Sequence, residues 1–501
     1  MGMGQGEIEV MNPVSGDVLA RVPDSTPEQV CMAVERARSA QAAWTALDDK
    51  ARAQAVRRWG DELWRSRDAL MNTIRQETGK NETGALLEVI VLDNILDYYA
   101  HYAPKILRPK TRRALFPVLQ RVRVYYRPHG VVGIISPWNY PYLLALIDAA
   151  PALAAGNAVV IKPSEITPLS ALAAVEAAYR VGIPRDVIQV VTGGGATGAA
   201  LVDYVDCIEV TGSTATGRKV AQRAGERLIP AGLELGGKDP LIVLEDVDID
   251  VAASAALQGA TENAGQVCIS TERIYVVDAV YDRFVARLVD YAQRLVMGSG
   301  NGLGVHVGSM TNERELLRCE AQIADAVEKG ARVLFGGKRR PDLGPLFLEP
   351  AVLVDVNHTM EVMREETFGP LIPVMRVKDA EEAIRWANDG AYGLSGAVFT
   401  RDLKRGERLA RQIASGDVSV NRTQFGIATP SLPMGGSGAS GLGRRNGPEG
   451  LLRFVQSHAV LIDRGWLNRP GLLTLLDPGL YRAFKALRVL RRWIPWLRAS
   501  V

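Results

Sequence analysis

VVGIIS (131–136), NAVVIKP (157–163), DVIQVVTG (186–193) and DCIEVTG (206–212) decide the fold. Each is a short Val/Ile run bounded by Gly, Pro, Ser or Asn, and Ala-rich segments of helical composition separate them. A strand that is apolar on both faces belongs in a buried parallel sheet, so this alternation predicts a sheet covered by helices on both sides. A second alternation follows, with LIVLE (241–245), RIYVV (273–277), ARVLFGG (331–337), AVLVD (351–355), LIPVMRV (371–377), GAVFT (396–400) and GDVSVN (416–421). No fixed period in the range of roughly 20 to 50 residues relates the two, so they read as two α/β lobes rather than a repeat. A site between the lobes is expected.

Outward from this centre, Pro27 suits a first helical position, and residues from there to about Tyr102 read as helix. Val30, Ala33, Val34 and Ala37 share one face, and Leu63, Leu70 and Ile74 recur at helical spacing. With 501 residues the chain is long enough for two or three packed units. Its 59 Lys plus Arg nearly balance 56 Asp plus Glu, which gives no global field to attract nucleic acid. Four cysteines (Cys31, Cys207, Cys268, Cys319) and five histidines are scattered without a CxxC pair, so neither a disulfide framework nor a metal site is expected. The start MGMGQGEIEV has neither a secretion nor a myristoylation pattern, and no uncharged run reaches the roughly 18 to 20 residues that span a bilayer. A reducing, cytoplasmic setting is expected.

Chemistry-bearing residues cluster at the ends of the predicted strands. GSTATGRKV (212–220) follows a strand and opens a helix, where free N–H groups and the helix dipole can hold a pyrophosphate. KPSEITP (162–168) puts Lys162 and Glu165 just past a buried strand, where open α/β sheets bind ligands. ELGGKDP (234–240) and ENAGQVCIS (262–270) place a carboxylate, flexible glycines and one polar-flanked cysteine in the second half of the chain.

PWNYP (137–141), KPSE (162–165), GSTATG (212–217), ELGGK (234–238), GQVC (265–268) and EETFGP (365–370) together resemble the successive signatures of the aldehyde dehydrogenase superfamily, in family order, across roughly residues 7 to 462. The resemblance implies a doubly wound Rossmann-type nucleotide domain (1–107 with 129–236) and a second α/β catalytic domain (237–452). It also implies a small β oligomerisation arm (108–128 with 453–464), and hence a homodimer or homotetramer. Residues 465–501 lie beyond the family core.

The catalytic set implied is Cys268, Glu234, Asn139 and Lys162. A free aldehyde has no hydride to give until a nucleophile makes its carbon tetrahedral, and Cys268 matches the family nucleophile. The Asn139 amide and the Cys268 backbone N–H match the oxyanion donors, each such donor being worth about 3 to 4 kcal/mol. Glu234 matches the residue that activates water to hydrolyse the thioester, so the product is an acid rather than an acyl group passed to another carrier. The cofactor contacts implied are Ser136, Trp138, Lys162, Ser164, Glu165, Gly195, Gly212, Ser213, Glu234, Leu235, Glu366 and Phe368. A carboxylate at Glu165 accepts from a ribose 2′-hydroxyl and repels a 2′-phosphate, which makes NAD the preferred cofactor with NADP still accepted.

Leu143, Leu144, Ile147, Val267, Ile269 and Met434 are expected to line an apolar substrate tunnel. Ile147 stands where relatives specific for succinate semialdehyde carry an arginine. An aliphatic aldehyde, long-chain ones included, or an aromatic one is therefore expected, each buried CH₂ contributing about 0.8 kcal/mol. Arg445 stands where several tetrameric relatives carry a glutamate. It is a candidate partner for a substrate carboxylate, which keeps a succinate-semialdehyde dehydrogenase in view. The third reading is a non-catalytic membrane-surface scaffold on the same fold. It draws on Trp466 to Val501, where seven basic residues, three tryptophans and helically spaced Leu480, Phe484, Leu487, Leu490 and Ile494 suit peripheral contact with an anionic membrane.

Overall fold

The Val/Ile runs form strands because their side chains are buried on both faces. The computed structural model describes residues 6–114, 120–299, 302 and 304–464, together with Arg482, Lys485, Ala486, Arg488 and Val489. The first sheet has six strands in the order Gly441–Leu442, Ala231–Glu234, Cys207–Thr211, Val131–Ile135, Ala158–Lys162 and Ile188–Val190. All neighbours are parallel except the first pair. The period of two sorts the side chains between two cores. Val132, Ile134, Val159 and Ile161 face one, and Val131, Val160, Ile208 and Val210 face the other.

Helices cover both faces, as continuous apolar strands require. Pro27–Ala46 starts with a capping box in which the Thr26 hydroxyl accepts from Gln29 N and the Gln29 side chain accepts from Thr26 N. Asp49–Arg65, Arg67–Thr78 and Glu82–Ile106 follow. Two tryptophans dock this helical layer: Trp44 Nε1 donates to Leu153 O and Trp59 Nε1 to Ala174 O, both at 2.9 Å. Each buries a large apolar surface and satisfies its one polar atom.

The second sheet has seven strands in the order Arg332–Phe335, Ala351–Val354, Leu371–Val377, Thr271–Val277, Asp239–Val243, Ala397–Phe399 and Ser419–Val420. Only its first pair is antiparallel. A separate three-stranded sheet pairs Val455–Asp463 with Gln120–Pro128, from Val455 opposite Pro128 to Asp463 opposite Gln120, and adds Lys110–Arg112. The basic carboxyl-terminal extension lies outside the described residues, apart from five exposed helical positions between 482 and 489.

One buried ion pair joins the helical layer to the loop after the first strand. Lys80 and Glu88 have fully buried side chains and pair with each other. Lys80 Nζ also donates to Asn139 O at 2.8 Å, and Glu88 Oε2 accepts from Leu143 N at 3.0 Å. PWNYP is thereby held at its central Asn139 and just beyond its carboxyl end. Replacing Glu88 with Ala leaves a buried ammonium without its counter-ion. The variant should lose about 3–5 kcal/mol of stability, measured by denaturant unfolding, whereas Lys80 and Glu88 replaced together by apolar residues should lose much less.

Candidate active site

Cys268 follows a backbone turn that few residues adopt. Asn263, Ala264 and Gly265 all have positive φ, at 50°, 54° and 74°. For non-glycine residues this conformation costs energy and persists where surrounding contacts over-determine it. Those contacts are visible: Asn263 Nδ2 donates to Asn139 O at 3.1 Å and Gln266 Nε2 returns to Asn263 O at 2.9 Å. A Cβ on Gly265 would lie 2.2 Å from the Gly369 carbonyl carbon, so only glycine lets the turn meet the EETFGP segment. Gly237 packs as closely, since a Cβ there would lie 2.3 Å from the Cys268 carbonyl oxygen.

The other motifs are tied to the same point. Asn139 is buried, and its Nδ2 donates to Gln266 O at 2.9 Å, two residues before the cysteine. Glu366 Oε1 accepts from Gly237 N at 3.0 Å. Lys238 Nζ donates to Glu272 Oε2 at 2.8 Å and to Thr367 Oγ1 at 2.9 Å. Glu272 also accepts from Thr367 N and Phe368 N, at 2.8 and 2.9 Å. Phe368 sits at φ 54° with its ring edge-on to Trp138, the centroids 5.4 Å apart.

Burial, followed by the charges of Asp239, Glu366 and Glu234, pushes the Cys268 thiol up to about 12. Burial pushes Glu234 up to about 7, opposed mainly by Arg445 and Arg453. Both Glu234 carboxylate oxygens are buried without a hydrogen-bond partner, as is Asn139 Oδ1. Orphaned polar atoms are rare in structural interiors and mark groups kept for something else.

Two cavities meet at Cys268 and Leu144, the only lining residues they share. One, of about 640 Å³, runs along the carboxyl ends of the first sheet. Ser136, Trp138, Lys162, Ser164, Glu165, Gly195, Gly212, Ser213, Leu235, Glu366 and Phe368 all line it, with Asn139. Glu234 is not on this wall; it lies buried behind Leu235 in sequence. Ser213 caps the helix Thr214–Arg227, accepting from Thr216 N at 3.2 Å, and Lys162 pairs with Glu165 at 3.3 Å. A capped helix amino terminus, a Lys/Glu pair at a neighbouring strand end and a buried carboxylate beside two aromatic rings suit the pyrophosphate, ribose and nicotinamide of a dinucleotide.

The other cavity, of about 530 Å³, is lined by Leu143, Leu144, Val267 and Ile269 among others. Ile147 and Met434 do not line it. Ile147 follows the last turn of Pro141–Leu146 and packs in the core, and Met434 is fixed in the core by backbone bonds to Arg445. Sequence reading missed Leu87, Val91, Tyr140, Glu262, Phe425 and Ile427 on the wall. The spacing of Leu87 and Val91, four apart on one helix, signals a shared face without naming what it faces. Arg445 cannot meet a substrate carboxylate: it is 2% exposed and holds Asp148 through Nε at 3.1 Å and Nη2 at 2.7 Å. Among the described residues no cluster suited to a metal ion occurs, and no helix is long and apolar enough to cross a membrane.

Residues 2–460 match the aldehyde dehydrogenase family. The protein named putative succinate-semialdehyde dehydrogenase (NADP+) 2 of Mycobacterium ulcerans is 44% identical over 452 residues, 90% of this chain and 87% of that one. The 4,4′-diapolycopene aldehyde oxidase of a Methylomonas species is 40% identical over 473 residues, 92% of this chain and 87% of that one. The solved structure of betaine aldehyde dehydrogenase from Staphylococcus aureus in complex with NAD+ superposes with a TM-score of 0.89 at 32% identity, covering 94% of this chain and 93% of the other. Fold, convergent motifs and near full-length likeness agree: the chain belongs to the aldehyde dehydrogenase family, oxidoreductases that oxidise aldehydes with NAD or NADP.

Proposed function

We propose that this enzyme oxidises an apolar aldehyde, aliphatic or aromatic, to its carboxylic acid through a thioester on Cys268. The observation that carries the substrate class is the wall of the 530 Å³ cavity, where Leu87, Val91, Leu143, Leu144, Val267, Ile269 and Phe425 surround the approach to the thiol. The buried charge on that wall is Glu262, which accepts from Tyr140 Oη at 2.8 Å; a carboxylate there opposes an anionic tail. The name of the Methylomonas relative, 4,4′-diapolycopene aldehyde oxidase, is a second support for this reading. The second reading, succinate semialdehyde, is favoured by the name of the Mycobacterium relative and by Arg422 at the exposed end of the cavity.

In this mechanism the Cys268 thiol gives its proton to water as its sulfur bonds to the aldehyde carbon, and the carbonyl oxygen takes up negative charge. The free Nδ2 hydrogen of Asn139 and the Cys268 N–H stabilise that oxygen. Lys162, Glu165, Ser213, Glu366 and Phe368 would hold NAD(P)+, which would supply the acceptor for the hydride; as the oxyanion collapses, the C–H bond breaks and the thioester on Cys268 is left. Glu234 then accepts a proton from the water that attacks the thioester carbon; the C–S bond breaks and the acid leaves. Glu165 beside Lys162 favours a ribose hydroxyl over a phosphate, so NAD is the preferred cofactor. The sheet of Val455–Asp463 and Gln120–Pro128 serves as the arm of a homodimer or homotetramer, and residues 465–501 rest on an anionic membrane surface.

Following NADH formation with hexanal, decanal, benzaldehyde and succinate semialdehyde should give the highest kcat/KM for the three apolar compounds; a preference for succinate semialdehyde would establish the second reading instead. Cys268→Ala should abolish turnover while NAD binding persists. Glu234→Gln should leave the first-turnover burst of NADH intact and slow steady turnover about 100-fold or more. Because Glu234 must be a carboxylate to accept the proton, thioester hydrolysis should rise with pH through about 7 and level off above it. Chains lacking 465–501 should no longer co-sediment with anionic liposomes, and unchanged sedimentation would refute the lipid role.

A further inference from the structure

Glu234 ends the strand Ala231–Glu234, and the residues paired across from it are Thr211 on one side and Gly441 on the other. Its Oε1 lies over Gly435, where an added Cβ would be 3.0 Å away. Gly435 follows Met434, whose backbone N–H and carbonyl bond to those of Arg445 at 2.8 and 2.6 Å. Arg445 is therefore held against the segment that brackets the Glu234 carboxylate. Its guanidinium is fixed from the far side by two bonds to Asp148 and by a third, from Nη2 to Thr211 Oγ1 at 2.8 Å. Among the described residues Nη1 has no hydrogen-bond partner.

The surrounding charges form one buried group. Arg453 also pairs with Asp148, and it reaches Glu209 Oε2 at 3.1 Å. Burial pushes the Glu209 carboxyl above its ordinary range, opposed mainly by Arg453. Arg445 and Arg453 both lower the Glu234 carboxyl against its burial, Asp148 raises it, and Arg444 lowers it more weakly. The Glu234 carboxylate, with no hydrogen-bond partner of its own, is the acid on which these charges act.

We propose that Arg445 is a positioning residue for Glu234: clamped by Asp148 and Thr211, it keeps a fixed cation beside the carboxylate and so sets the pH at which water is activated to cleave the thioester. The step itself is the one described for Glu234, in which a water O–H proton passes to the carboxylate, the new C–O bond forms and the C–S bond to Cys268 breaks. The role rests on Glu234 being the base for that step. It is not a substrate contact, because the guanidinium is buried and lines neither cavity.

The test is the pH dependence of acyl-enzyme breakdown, followed by rapid quench and mass spectrometry of Cys268 with hexanal and NAD+ from pH 6 to 10. In Arg445→Gln the midpoint should rise by about one unit or more, with the NADH burst per active site unchanged. Arg445→Lys should stay near the native midpoint. Asp148→Asn, which removes the opposing anion, should move it downward, so the two substitutions shift in opposite senses even if one of them is poorly folded. Unmoved midpoints in folded Arg445→Gln and Asp148→Asn, or a loss of rate equal at every pH, would overturn the proposal. If Glu234→Gln keeps the native midpoint, the base assignment itself fails. If Glu234→Gln loses the midpoint while Arg445→Gln keeps it, only the role of Arg445 fails.

Discussion

The arrangement of the site depends on one buried ion pair, Lys238 with Glu272. Glu272 stands at the start of the central strand Thr271–Val277, four residues after the nucleophile, and its carboxylate gathers the Lys238 ammonium and two backbone N–H groups of the EETFGP segment. Three stretches, the outer two of them 129 residues apart, are thus held by two carboxylate oxygens. A buried pair of this kind is weak evidence for stability, since desolvation takes back much of the attraction. Its use here is positional: it brings Glu366, Phe368 and the Gly236–Gly237 turn to Cys268 with their hydrogen bonds satisfied.

The two lobes, their strands and the helical layer were legible from period and composition because each signal is local. Val131–Ile135 and Ala158–Lys162 are continuous Val/Ile runs, and Pro27 behaves as a first helical residue whose cap lies one position before it. The 640 Å³ cleft was legible for another reason: its lining residues sit at strand ends and one helix start, places that topology fixes.

What sequence left unread depends on which way a side chain turns. Leu143 and Leu144 reach the 530 Å³ cavity while Ile147, at the end of the helix Pro141–Leu146, packs in the core. Met434 sits opposite Arg445 in an isolated bridge that no local pattern announces. The fate of Arg445 could not be read alone, since a charge with no visible partner looks available; its partner Asp148 is 297 residues away in sequence. Glu262 stood in a quoted motif, yet its meaning came only from Tyr140 and from the cavity both line.

Among the described residues the two cavities share only Cys268 and Leu144, so on the function proposed above cofactor and aldehyde would arrive by separate doors. The enzyme is therefore modular in its variation. Side chains along the aldehyde door can be exchanged, widening or narrowing the range of compounds admitted, without disturbing the surfaces that grip the dinucleotide. Leu144 is the exception: as part of both walls it would tie substrate range to cofactor seating, since a change in its bulk alters the space on either side of the sulfur.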